Sequence, residues 1–181
     1  MKTSETPHRI YARVAGFTFL FYIIAGISSM ALPNLAQVAD LFSLLLNFSA
    51  IVLGVTLYMI TREQGPGLAL MALACRIIEA IHGESAIFFA VGSMLFCWLL
   101  LRGRMIPVAL AWLGVIASIL LVVILPLQLA GLFGGSMSWS ASITWLVWLP
   151  MLAFEVPLAL WLLVKGVSVP KTSATQPLLE T

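Results

Sequence analysis

The sequence predicts an all-α protein, a polytopic membrane helix bundle of six spans with both termini on the cytoplasmic side. Three observations predict it. The chain of 181 residues is 62% hydrophobic and only 9% charged, with a mean hydropathy of +1.11, whereas a soluble domain carries about a quarter charged residues. The apolar residues fall into six runs that reach, or nearly reach, the length needed to cross a hydrocarbon core of about 30 Å. All the lysines and arginines except Arg76 fall on one side of those runs.

The first span runs from Gly16 to Leu32 and is closed by Pro33-Asn34, behind an N-terminal segment, 1–15, read as cytoplasmic. That basic start and the small residues Ser28-Ser29-Met30-Ala31 also suit a signal peptide. The leader is long and the apolar run nearly full length, so a retained helix is the expectation. The second span is Leu41 to Ile60, interrupted at Asn47. Gly67 to Ile81 and Ala86 to Leu101 form the third and fourth, separated by His82-Gly83-Glu84-Ser85. At about 1.5 Å per residue these two reach only about 22 to 24 Å, so a re-entrant hairpin is the alternative to full crossing. A hydrophilic turn belongs at an interface, which favours crossing. The fifth span, Val108 to Leu132, carries Pro126 as a kink, and the sixth, Ile143 to Val164, places Pro150 and Pro157 around Glu155. Residues 16–165 thus form one membrane domain, and the polar tail 166–181 is expected to be disordered and cytoplasmic.

The charges test this independently. With the N-terminus inside, Lys2, Arg9, Arg13, Arg62, Arg102, Arg104, Lys165 and Lys171 all lie on the inner side, and the outer connections hold none. This is the positive-inside distribution of a multi-pass membrane protein.

Composition also excludes classes. A net charge of +2 with no basic patch gives no hold on nucleic acid. Cys75 and Cys97 sit in apolar runs without CxxC spacing, so packing is their expected role. His82 is the only histidine outside the N-terminal tail, and with Glu79 and Glu84 it lacks the spacing of a zinc motif. No nucleophile elbow, dinucleotide fingerprint or phosphate loop occurs. No cofactor and no metal are therefore expected, and an enzyme is the least supported class. The tryptophans near span ends read as headgroup anchors.

The informative residues are the ones that do not suit lipid. In LALMALACRIIEAIHGES, Arg76 and Glu79 are i and i+3 on one helix face, continued by Ala69, Ala72 and Gly83. Small residues on such a face let helices approach closely. Counting along the helices puts Arg76 and Glu155 at one depth, each about 13 to 14 Å from the inner edge. Glu79 lies about a turn further out, level with Asn47. A charge at this depth is costly and tends to be paired. Arg76, Glu79, Glu155 and Asn47 are thus expected to form an intramembrane polar cluster, with Glu155 as the arginine's partner and Glu79 as the rival. At the outer interface His82 and Glu84 make a candidate pH-sensitive group.

Four stretches resemble the bacterial membrane proteins catalogued as domain of unknown function 4386. They are Arg13-Val14-Ala15-Gly16, then LALMALACRIIEAI, LLLRGRMIPVALAWLGVIAS and AFEVPLALWLLVKG, in the same order. The chain departs in the connections after spans one and three, which are shorter than the family's. The resemblance implies a six-span helical protein of a bacterial inner (plasma) membrane and no assigned activity. Two uses of the cluster follow. It clamps the bundle, or it serves a small transporter, channel or sensor as a binding or proton site. The partner implied throughout is the lipid bilayer; a homo-oligomer or another membrane protein stays open.

Overall fold

In lipid the backbone's polar groups can be satisfied only within the chain, which makes helices the outcome for apolar runs of this length. The computed structural model describes residues 5–31, 36–82, 86–132 and 142–168. They form α1 (Glu5–Ala31), α2 (Ala36–Thr61), α3 (Pro66–His82), α4 (Ala86–Arg102), α5 (Val108–Leu129) and α6 (Ser142–Val164), with one 3-10 turn at Arg62–Gln64. No strand occurs among the described residues. The fold is all-α, as the sequence predicts.

The helix ends follow local chemistry. Pro66 opens α3, where its missing N–H is no loss. α4 closes with the amide of Gly103 donating to Leu99 O (2.9 Å) and that of Met105 donating to Leu100 O (3.0 Å). Between them Arg104 takes φ +48°, a position where glycine is usual. α6 ends at Gly166, φ +77°, whose amide donates to Trp161 O at 3.1 Å. The amide of Ser168 then donates to Met105 O (2.9 Å), strapping the end of α6 to the α4–α5 turn. α5 and α6 are continuous through Pro126, Pro150 and Pro157.

Among the described residues six α-helices are present, but six spans is an overcount. Four stretches of those residues are long and apolar enough to cross a membrane: Pro7–Ser28, Asp40–Gln64, Val108–Leu129 and Leu146–Val164. α3 and α4 have 17 residues each, which is about 25 Å of helix against a core of about 30 Å. α1 begins at Glu5, well before the expected start at Gly16. Its first turns are amphipathic, with Arg9 and Arg13 exposed and Ala12 and Ala15 buried. A hydropathy run cannot detect a helix of that kind. The expected stop at Pro33-Asn34, the Glu84 turn, Trp139 and the tail from 169 onward lie outside the described residues.

Each helix packs against its neighbours in the chain, and α1 packs against α6, closing a six-membered ring. The closing seam is tight. A methyl group on Gly16 would lie 2.6 Å from the Ala159 carbonyl oxygen and 2.8 Å from the Leu163 nitrogen. Inside the ring lie Leu53, Leu121, Leu125, Met151, Phe154 and Leu158, each almost wholly buried. Outside, Phe17, Leu44, Phe48, Leu146 and Val164 are exposed, as suits a surface solvated by lipid.

Buried hydroxyls are mostly satisfied locally. Thr18, Ser49, Thr56 and Thr61 each donate to the carbonyl four residues back, at 2.7 to 2.8 Å. They need no partner on another helix. The charged residues do.

Candidate functional site

Arg76 is 2% exposed, and its burial begins with backbone packing. It projects from the small face of α3, where Ala69 and Ala72 are fully buried. A methyl group on Gly54 of α2 would sit 2.9 Å from Arg76 Cβ, and one on Gly92 of α4 would sit 3.5 Å from Arg76 Cδ. Two glycines therefore flank the arginine's aliphatic stem, and larger side chains there would push α3 away.

The guanidinium lies between two aromatic rings. Its Cζ is 5.8 Å from the ring centre of Tyr22 on α1 and 5.0 Å from that of Phe89 on α4. Both distances allow cation–π attraction, which is strongest without competing water. Phe89 in turn packs on Trp148 of α6, with ring centres 5.4 Å apart. Trp148 and Trp161 are thus half-buried against the core. Trp98 and Trp112 are exposed.

The arginine's charge partner is Glu79. Arg76 Nη1 lies 2.9 Å from Glu79 Oε2, with side-chain exposures of 3% and 11%. This is a charge contact without hydrogen-bond alignment, since Glu79 Oε2 is buried and has no hydrogen-bond donor. The other oxygen, Oε1, accepts from the Tyr22 hydroxyl at 3.1 Å. Tyr22, Glu79 and Arg76 therefore form one chain of polar contacts between α1 and α3, helices separated in the ring by α2.

Glu155 is corrected as the arginine's partner. It is 6% exposed on α6 and within electrostatic reach of both Arg76 and Glu79. No ion pair joins it to Arg76 among the described residues, and its Oε1 is buried without a hydrogen-bond partner. The physical reason is proximity. Glu79 sits one turn away on the same helix and is steadied by Tyr22, so it reaches Nη1 without any adjustment between helices. Asn47 is half-buried, and no hydrogen bond joins it to Arg76, Glu79 or Glu155 among the described residues. Its depth matches, but depth alone does not bring it to the cluster. The side chain of His82 and all of Glu84 lie outside the described residues.

Tyr22 and Phe89 are absent from the sequence-level cluster. A signal for Tyr22 existed, because a tyrosine inside an apolar run must place its hydroxyl on some partner. Nothing distinguished Phe89 from the other aromatic residues of α4. Beside the guanidinium, between Phe96 and Cys97 of α4 and Met151 and Phe154 of α6, is a cavity with room for about one water molecule. Among the described residues no group of three or more His, Cys, Asp or Glu gathers as metal ligands would.

With this geometry in place, the comparison with known families can be stated. Residues 81–166 match the family described as Domain of unknown function (DUF4386). That is the family the four sequence stretches resemble. The match takes in α4, α5 and α6 with Glu155, and begins just after Arg76 and Glu79. The resemblance read in Arg13 to Gly16 and in Leu68 to Glu79 lies outside it. No curated protein and no solved structure matches the chain. The match and the apolar helices together describe an integral membrane protein, and the family description assigns it no activity.

Proposed function

We propose that the protein is a structural or assembly bundle of a bacterial inner membrane, with both termini cytoplasmic and the Tyr22–Glu79–Arg76 chain as its internal clamp. One observation carries the reading. The polar contacts run between α1 and α3, which are not neighbours in the ring, so they fix an arrangement that apolar packing alone leaves free to slide. Attraction between apolar helices is weak in lipid, which leaves such contacts and small-residue packing to set register. The small cavity beside Arg76 favours the clamp over a substrate site.

Tyr22→Phe tests this with the least disturbance. It removes one hydroxyl and keeps the ring against the guanidinium. A clamp predicts a loss of about 0.6 kcal/mol, and at most about 1.7 kcal/mol, of folding stability, read as an earlier midpoint in detergent denaturation. A site that works by binding predicts an unchanged midpoint, and that result would sink the clamp.

The placement of α3 and α4 has its own test, motivated by their shortness and by the side on which Arg62 and Arg102 fall. The proposal is that both enter from the cytoplasmic side and return to it as a re-entrant hairpin. Reporters fused after Arg62, Glu84, Arg104 and Lys171 are expected to read cytoplasmic, and those after Asn34 and Gly135 external. An external reading at Glu84 would make the pair two full crossings and overturn the hairpin. A cytoplasmic reading at Gly135 contradicts the whole topology.

A further inference from the structure

We propose that Glu155 is an intramembrane proton-binding site, holding a proton while Arg76 and Glu79 are paired and turning to the unpaired edge of the Arg76 guanidinium when it gives that proton up. This goes beyond the clamp, which needs only Tyr22, Glu79 and Arg76, so either can fail without the other.

The charge count motivates it. The ionisable groups facing Glu155 are Arg76 and Glu79 from α3, Tyr22 from α1 and Cys97 from α4. α5, which also packs on α6, contributes no titratable side chain. The cluster therefore holds one fixed cation and two carboxyl groups. Glu79, in contact with the guanidinium and with a tyrosine donor, is the better placed of the two to hold the negative charge. An ionised Glu155 would then leave one uncompensated negative charge in low dielectric, with Oε1 buried and without a donor. Such a charge is costly inside a membrane. A single proton removes the imbalance.

The second state is equally provided for. Arg76 Nε and Nη2 are buried and have no hydrogen-bond partner among the described residues. They can receive a deprotonated Glu155 while Nη1 stays with Glu79, so release of the proton does not require the clamp to open. On release the proton passes to the aqueous phase, whose pH sets the occupancy of the site. With the proton held the cluster is neutral; with it released the cluster carries one net negative charge, and the two edges of the guanidinium each face a carboxylate.

Infrared spectroscopy of the protein in lipid vesicles tests the assignment. At neutral pH the wild type is expected to show the C=O stretch of a protonated carboxylic acid, shifted in heavy water and falling as pH is raised. Glu155→Gln should fold as the wild type does and lose that band, because the amide is a neutral stand-in for the acid. Glu79→Gln should keep the band if it folds. No acid band in the wild type overturns the proposal. So does a band that survives in Glu155→Gln, which would place the proton elsewhere. Failure of Glu155→Gln to fold also overturns it, since the fold would then need the charge.

Discussion

Arg76→Leu is expected to cost about 3 to 5 kcal/mol of folding stability, the usual loss when one member of a buried pair is removed. Leucine fills much of the space between Gly54 and Gly92, so the loss reports charge more than packing. Glu79 would keep its Tyr22 hydroxyl but lose the cation at 2.9 Å. The attraction of the guanidinium for the Tyr22 and Phe89 rings would go as well. Folded yield in mild detergent, followed by denaturant titration, measures the effect. A midpoint within error of the wild type would mean that the buried arginine does not hold the bundle together.

Gly16→Val should be the largest apolar loss, at about 3 kcal/mol, the upper part of the range for overpacking. The atoms a side chain would meet first are backbone, at Ala159 and Leu163. Backbone cannot rotate away as a flexible side chain can, so α1 and α6 must separate and the ring opens at its closing seam. Gly67→Ala is the control. It lies in the first turn of α3 with nothing within 4 Å of an added methyl group, and alanine favours helix over glycine by about 1 kcal/mol. Thermal unfolding in detergent should place Gly16→Val well below the wild type and Gly67→Ala at or slightly above it. Equal effects at the two sites would contradict the ring closure.

Much of this architecture is legible in the sequence, because apolar runs between turn residues leave helices as the only outcome in lipid. The inward face of α3 is legible too. The i, i+3 spacing of Arg76 and Glu79, continued by Ala69 and Ala72, identifies a face that the structure buries. What fails is the step from depth to contact. Counting residues gives height along a helix but not rotation about it, so Arg76 and Glu155 are level without pairing and Asn47 is level without joining. Competition within one helix is also underweighted, and Glu79 wins by proximity. Tyr22 is overlooked because ionisable groups draw attention in an apolar run and hydroxyls do not. The count of spans is too high for a related reason. α3 and α4 are full members of the ring, yet too short to meet the length that crossing requires.

The central claim is that Arg76 and Glu79 act as one unit inside the bundle, and a double-mutant cycle measures it most directly. Stability would be compared among the wild type, Arg76→Leu, Glu79→Leu and the double variant. A parallel cycle would take Arg76 with Glu155→Leu. Pairing predicts that Arg76→Leu/Glu79→Leu recovers much of what either single change loses. The coupling energy should then lie in the range of about 0.5 to 3 kcal/mol seen for contacting residues. The Arg76–Glu155 cycle should couple less. Additive losses for Arg76 and Glu79, or a stronger coupling to Glu155, would contradict the account.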